Sequence, residues 1–277
     1  MPHLTVLIVG ASDLGTACAL RLFRSGLHVI IIEKDCPLDI YHARSFSNAV
    51  FSGSKTIDAI TAKTYAQVLE EDALNSGSTV TNFIQFAVLN REIPVLTESD
   101  KVYLNHSNIN YCIVCEPVLY KKIIHALPEE TSLIGFASEK KPDSYAYTIC
   151  NSGANFGRVF YANDALLNTT SDISLNKKEK YQQIKAPLEG VFQSSKSIDE
   201  LIHEKEEIGK VDDIPILSPF LGRISGVLNS GVIISAGTVF AEIDVSHSGL
   251  SGHFLSRDSF CLAGAVLEAV MYDSKLK

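Results

Sequence analysis

The phrase Gly10-Ala-Ser12-Asp-Leu-Gly15 has the spacing of a G-x-G-x-x-G turn, in which a strand enters a helix while backbone amides face a phosphate. Ser12 stands where the second glycine would be, and its side chain obstructs the close approach a pyrophosphate needs. Asp13 places a like charge beside a helix N-terminus that otherwise attracts anions. Glu33, 23 residues beyond Gly10, closes the next apolar run, where a carboxylate can hold a ribose diol. Gly10, Ser12, Asp13, Gly15 and Glu33 are the candidates for nucleotide binding, although the degraded motif taken alone reads first as a purely structural turn, with nucleotide binding as the alternative.

Cys112-Ile-Val-Cys115 matches C-x-x-C but lies in an apolar strand, where residues three apart point to opposite faces. Both thiols then cannot face one metal, and no second C-x-x-C completes a zinc site. Buried structural cysteines are expected, with interest retained by Cys115 at the strand's carboxyl end. His247 and His253 flank the loop Ser248-Gly-Leu-Ser-Gly252; they are read as solvated, with metal binding or titration near neutrality as the alternative. The sequence contains no G-x-S-x-G elbow, no G-x-x-x-x-G-K-[ST] phosphate loop and no H-E-x-x-H, so hydrolase and NTPase readings lack a motif.

The elements that must position these residues begin with Leu4 to Gly10, a continuous apolar run of the kind buried on both faces of a parallel sheet. Ser12 to Ser25 carries Leu14, Ala17, Cys18 and Leu22 on one helical stripe, with Ser12 or Asp13 as cap and Gly26 as terminator. Leu27 to Ile32 is the next strand, so the chain opens as a doubly wound α/β domain. The pattern from Ser45 to Ala62 is too irregular to assign. A short helix is expected over Ala66 to Leu74, a helix or strand over Val80 to Asn90, and strands at Ile93 to Leu96 and Tyr111 to Cys115. Tyr145 to Cys150 and Arg158 to Tyr161 are expected at the sheet edge, and Ser132 to Asp143, with Gly135 and Pro142, as a loop.

Asn163 to Lys180 is polar and resembles a linker. After it come two related phrases, Lys185-Ala-Pro-Leu-Glu-Gly190-Val-Phe and Leu217-Ser-Pro-Phe-Leu-Gly222-Arg-Ile, with prolines 32 residues apart. Such a repeat implies a small β domain of two similar halves. It resembles the biotinyl and lipoyl carrier fold, a flattened barrel whose carrier lysine sits at the hairpin between the halves. Carrier spacing selects Val211, with Lys210 one step away, and Gly209-Lys-Val-Asp-Asp-Ile214 lacks the methionines that flank a biotinylated lysine. No covalent biotin or lipoate is expected. Phe260 to Met271 reads as an amphipathic helix with Phe260, Ala263, Leu267, Val270 and Met271 on one face, Ser256 or Asp258 as cap, docked onto the body. The expected division is a Rossmann-like α/β domain with its linker over 1–180, a biotinyl/lipoyl-like β domain over 181–246, and a loop and C-terminal helix over 247–277.

The 277 residues fit two unequal domains, and 46% hydrophobic with 20% charged residues describes a folded chain. Asp and Glu total 32 against 24 Lys and Arg, and the net charge of -8 repels phosphate backbones and anionic lipid. Neither nucleic acid nor membrane is therefore an expected partner. No apolar run approaches the roughly 20 residues of a membrane span, no export signal is expected, and six cysteines then read as thiols of a reducing, cytoplasmic compartment.

A family resemblance rests on Val6-Leu-Ile-Val-Gly-Ala-Ser-Asp-Leu14, Arg21-Leu-Phe-Arg-Ser-Gly26, Glu33 with Pro37-Leu38, and Phe46-Ser-Asn-Ala-Val-Phe-Ser-Gly53. Phe156-Gly-Arg-Val-Phe160, the two Pro/Gly phrases and Gly264-Ala-Val-Leu-Glu-Ala269 continue it. In these phrases the chain resembles the accessory proteins of selenium-dependent molybdenum hydroxylase systems. The likeness covers most of the chain and is weak from about Thr61 to Cys150. It implies a Rossmann-type domain followed by a biotinyl-like module, and a role in hydroxylase maturation without an established reaction. Where relatives look glycine-rich this chain has Gly135-Phe-Ala-Ser-Glu-Lys, where they place Asp-Ala-Arg it has Cys115-Glu-Pro117, and the phrase before Gly157 is reduced to Asn151-Ser-Gly-Ala-Asn155.

The expected function is an accessory role in maturing or inserting a molybdenum-type cofactor, by binding rather than turnover. Gly10, Ser12, Asp13 and Gly15 would line a cleft for NAD(P) or a molybdopterin nucleotide, Glu33 would meet a ribose and Arg158 would supply positive charge. The partner would be the hydroxylase or its maturation proteins. The rivals are an NAD(P)-dependent oxidoreductase, for which no evident Tyr-Lys or His-carboxylate set is present, and a non-catalytic interaction scaffold.

Overall fold

The computed structural model describes residues 4–71, 84–85, 87, 89–138, 144–161, 180–246 and 251–274. The expected linker, most of the Val80 to Asn90 segment and His247 fall outside them. The chain is of mixed α/β class and divides into two units, each assembled from separated stretches. The first comprises Met1–Asp35, Phe46–Ile173 and Ser256–Lys277; the second comprises Cys36–Ser45 and Ser174–Leu255.

The first unit is built on a nine-stranded sheet. Its strands are β1 (Thr5–Val9), β2 (His28–Glu33), β3 (Ser54–Ile57), β4 (Ile60–Thr64), β5 (Ile93–Thr97), β6 (Tyr111–Val114), β7 (Ser132–Ala137), β8 (Tyr147–Cys150) and β9 (Val159–Phe160). They lie in the order β3-β4-β5-β2-β1-β6-β7-β8-β9. Every pairing from β4 to β8 is parallel, and only the edge strands β3 and β9 run antiparallel to their neighbours. Leaving β1, the chain moves to β2, forms the outer hairpin β3–β4, returns to place β5 between β4 and β2, and later steps outward through β6, β7 and β8 on the other side. The order therefore reverses between β1 and β6.

Helices cover both faces because both faces of the central strands are apolar. Leu7 and Val9 of β1, with Cys112 and Val114 of β6, pack against Val68 of α3 (Tyr65–Glu71) and Leu119, Tyr120 and Ile123 of α4 (Pro117–Ile123). The opposite face meets α1 (Asp13–Arg24) and α5 (Arg257–Asp273), which pack along each other. α2 (Ala49–Ser52) is a single turn before the β3–β4 hairpin.

Two expectations are corrected here. Ser132 to Ala137 is not a loop but the strand β7, paired in parallel with both β6 and β8. Gly135 is there for packing, since a Cβ on it would lie 2.2 Å from the Tyr145 ring. The buried face of α5 runs through Ser259, Leu262, Ala263, Val266, Ala269, Val270 and Asp273, with Met271 exposed. The polar ends of that face are hydrogen-bonded to the body, so the largest apolar residues do not define it.

The second unit holds β10 (Tyr181–Lys185), β11 (Gly190–Ser194), β12 (Leu201–Ile202), β13 (Glu207–Val211), β14 (Ile214–Leu217), β15 (Gly222–Val227), β16 (Val232–Ile234) and β17 (Val239–Asp244). They form two antiparallel sheets, β10-β17-β15-β12 and β14-β13-β11-β16. Exchanging β10 with β14, β11 with β15, β12 with β16 and β13 with β17 turns one order into the other. Each sheet thus takes strands from both halves, and Pro187 and Pro219 occupy equivalent connections, β10 to β11 and β14 to β15. The core includes Phe192 and Phe240, whose ring centroids are 5.0 Å apart, with Ile202, Ile208, Val211, Ile224, Val232 and Ile243.

The stretch Cys36–Ser45 is part of this unit although it follows β2 directly. Ile40 joins the core, its carbonyl accepts the Val227 amide at 2.8 Å, and the Tyr41 hydroxyl donates to buried Glu242 at 2.9 Å. Among the described residues no helix is long and apolar enough to cross a membrane.

Candidate functional site

In open α/β sheets ligands sit beyond the carboxyl ends of the strands, where strand order reverses. Here that place is the end of β1 and β6. Gly10 leaves β1 with φ +86°, and a Cβ on it would lie 2.6 Å from the Glu116 Cβ. A Cβ on Gly15 would lie 1.9 Å from the Gly10 carbonyl oxygen, so only glycine lets α1 settle this closely onto the turn. The turn is also tied from below. The Ala11 carbonyl accepts the Thr16 hydroxyl at 2.8 Å and the Ser47 amide at 3.0 Å.

The two acidic residues of the motif face inward. Glu33 is 4% exposed. One of its carboxylate oxygens accepts the Ala11 amide at 2.7 Å and the other the Lys34 amide at 2.8 Å, so the carboxylate holds the turn in shape. Asp13 is buried and accepts hydrogen bonds from the Ser256 amide (3.2 Å), the Ser256 hydroxyl (2.7 Å) and the Ser259 hydroxyl. Ser256 is the N-cap of α5, so the anion at that helix N-terminus is a carboxylate of the protein itself. Ser12, the N-cap of α1, is exposed and its side chain makes no capping bond.

At the mouth, Lys34 Nζ lies 3.0 Å from Glu116 Oε2, while Glu116 Oε1 caps α4 through the Val118 amide at 3.1 Å. The amides of Cys115 and Glu116 both donate to the Val9 carbonyl, at 3.0 and 2.9 Å, which closes β6 onto β1. Beneath them the neighbouring Cys18 side chain, then burial, pushes the Cys115 thiol well above the usual range. Cys112 faces the other side of the sheet, in the α3/α4 core, where burial pushes its thiol up.

The structure thus brings Gly10, Ser12, Asp13, Gly15 and Glu33 together at one turn. Arg158 is elsewhere. It is exposed in the β8–β9 hairpin, its guanidinium 5.6 Å from the Phe160 ring centroid. β9 is four strands from β1, roughly 19 Å at the usual inter-strand spacing. His253 is also exposed, with Nε2 3.9 Å from Asp199 Oδ2. Among the described residues no group of three or more His, Cys, Asp or Glu is arranged to hold a metal ion. The β13–β14 turn consists of Asp212 and Asp213, with Lys210 inside β13 paired with Gln193 and Pro215.

Sequence reasoning missed three relationships: Asp13 with α5, Lys34 with Glu116, and Cys18 with Cys115. Each joins residues far apart in sequence, so no local spacing marks it. The α/β ligand-edge geometry defines a class, a mostly parallel sheet with a glycine-bearing turn at its order reversal, joined to two antiparallel sheets and a C-terminal helix. No protein-family profile matches the chain. A protein of Escherichia coli (strain K12) that bears the name uncharacterized protein YqeB is 27% identical over 274 residues. That likeness covers 97% of this chain and 48% of the relative, so the chain spans about half of the relative's length.

Proposed function

We propose that the chain is an accessory protein in the maturation of a selenium-dependent molybdenum hydroxylase, acting by binding a nucleotide or pterin-nucleotide ligand at the end of β1. The observation that carries the binding site is the reversal of strand order between β1 and β6, with Gly10 and Gly15 clearing the turn there. The six strands from β5 to β8, numbered by their sequence order, run 3-2-1-4-5-6, an order that supports the Rossmann-type reading. The family resemblance supplies the hydroxylase. The interlocked sheets of the second unit support a biotinyl/lipoyl-like module, and the β13–β14 hairpin, with Val211 at the carrier spacing and Asp212-Asp213 in its turn, supports a module that carries no cofactor.

In this reading a ligand phosphate meets the backbone of Gly10 to Leu14 beside exposed Ser12, with Lys34 as the nearby cation. Glu33 and Asp13 act on the turn and on α5 rather than on the ligand, because their carboxylates already accept protein donors. A ribose would need Glu33 to exchange the Ala11 amide for a hydroxyl.

That engagement favours one second reading, a scaffold that binds the hydroxylase and no small molecule. Thermal unfolding in the presence of NAD, NADP and molybdopterin dinucleotides separates the two. The ligand reading expects a rise in melting temperature with at least one of them, lost in Ser12→Glu, which places a negative charge at the turn while remaining favourable to α1. No shift with any of the three, together with a hydroxylase that co-purifies ligand-free, leaves the scaffold.

A further inference from the structure

We propose that Tyr161 and Tyr272 form an oxidative cross-linking site, where a one-electron oxidant at the surface joins the two rings as dityrosine, with Glu268 as proton acceptor. The link fastens the end of α5 to the sheet edge. Tyr161 follows β9 directly, and its hydroxyl donates to Glu268 Oε1 at 2.7 Å. Tyr272 lies four residues beyond Glu268 in α5, one turn further along the same side of the helix. Tyr161 is therefore held twice, by its hydroxyl on Glu268 and by its ring on Tyr272, with ring centroids 4.5 Å apart and planes inclined by 56°. That separation is at the short limit for aromatic pairs and brings carbons of the two rings into van der Waals reach. Tyr147 stands edge-on to both, with centroids 5.8 Å from Tyr161 and 6.4 Å from Tyr272, and its hydroxyl is tied to Asp273 at 2.7 Å.

Access and proton transfer set the order of events. Tyr272 is 46% exposed, Tyr161 is half-buried and Tyr147 is buried, so the oxidant meets Tyr272 first. Tyr272 gives up one electron, and its phenolic proton goes to water. A second oxidising equivalent takes an electron from Tyr161, whose proton passes along the existing hydrogen bond to the Glu268 carboxylate. The two phenoxyl radicals couple through ring carbons ortho to oxygen. One C–C bond forms, and the hydrogens on those carbons move as protons to the two phenolic oxygens. Two phenols have then lost two electrons and two protons in all. A haem peroxidase that takes the electrons one at a time reduces one hydrogen peroxide to two waters in the process.

The test treats the full chain, kept dilute, with a haem peroxidase and limiting hydrogen peroxide, isolates the monomer in denaturant and digests it. The expected result is dityrosine fluorescence in the monomer and a peptide joining Tyr161 to Tyr272, lighter by two hydrogens than the separate peptides and resistant to dithiothreitol. Because the link closes a long loop, the linked monomer should also melt at a higher temperature than the untreated chain. Tyr161→Phe and Tyr272→Phe should each abolish the linked peptide. Glu268→Gln, which keeps a hydrogen-bond acceptor but removes the base, should slow its formation several-fold. Dityrosine confined to dimers, a link from Tyr147 to either residue, or an unchanged rate in Glu268→Gln would each overturn the assignment. So would recovery of Tyr161 and Tyr272 unmodified under conditions that couple free tyrosine.

Discussion

Asp13 and Ser256 are 243 residues apart in sequence and joined by a 2.7 Å hydrogen bond that fixes the start of the last helix beside the start of the first. The same carboxylate accepts the Ser256 amide and the Ser259 hydroxyl, and at the far end of α5 the Asp273 carboxylate accepts Tyr111 at 2.8 Å and Tyr147 at 2.7 Å. α5 is thus fastened to the first unit at both ends by carboxylates, one reaching out to the helix and the other reaching back from it.

Removal of the first fastening should be costly. Asp13→Ala leaves a buried serine hydroxyl and an N-cap without their acceptor, and should destabilise the protein by about 1–3 kcal/mol. Chemical denaturation gives the magnitude, and amide exchange shows its place: protection should fall first in residues 257–263. A loss spread evenly over the first unit would contradict the role assigned to Asp13.

The glycines of the opening segment should separate by mechanism. Gly15→Ala forces a methyl group against the Gly10 carbonyl and should cost more than the roughly 1–3 kcal/mol typical of overpacking. Gly26→Ala meets no atom within 4 Å and suffers only from its φ of +84°, a penalty of about 1–2 kcal/mol. Equal losses in matched unfolding curves would mean that α1 does not sit as closely on the turn as described.

Alkaline pH should expose the other fastening. Burial, followed by the hydrogen bond to Asp273, raises Tyr111 and Tyr147 well above the ordinary phenol, while burial pushes Tyr120 up to about 12 and also raises Tyr145. These groups favour the folded state while protonated, so their contribution is complete below the unfolded value of about 10 and declines as pH rises through the folded values. Phenolate absorbance should therefore show a normal phase near pH 10 and a later one that coincides with loss of tertiary structure. Tyr147→Phe should shrink the later phase. A single smooth titration of all ten tyrosines in a protein still folded would contradict this.

The local grammar of the first 33 residues was legible because strand, turn and helix each announce themselves through neighbours. Leu4 to Val9 is apolar throughout, Gly10 needs its positive φ, and Gly26 ends α1 in the same way. Ser45 to Ala62 was not legible, and the hairpin inside it turns on Asp58 and Ala59, both at positive φ. Without a glycine there, no turn signal appears. β7 was lost for the converse reason, because Gly135 looks like a breaker until the Tyr145 ring is placed against it. The site was legible as a turn but not as chemistry. Spacing put Glu33 at the end of β2 yet could not tell that its oxygens already hold two amides, and no spacing connects Arg158 to a sheet edge four strands away.

The inclusion of Cys36–Ser45 in the second unit, and of Ser256–Lys277 in the first, has a consequence for how the protein is made. As the polypeptide emerges during translation, Asp13, Tyr111 and Tyr147 must wait for α5 to find their partners, while Ile40 and Tyr41 wait for strands about 200 positions later. The first unit cannot finish assembling before synthesis nears residue 273, nor the second before it nears residue 255, and excising either as an uninterrupted gene fragment would discard part of its own interior.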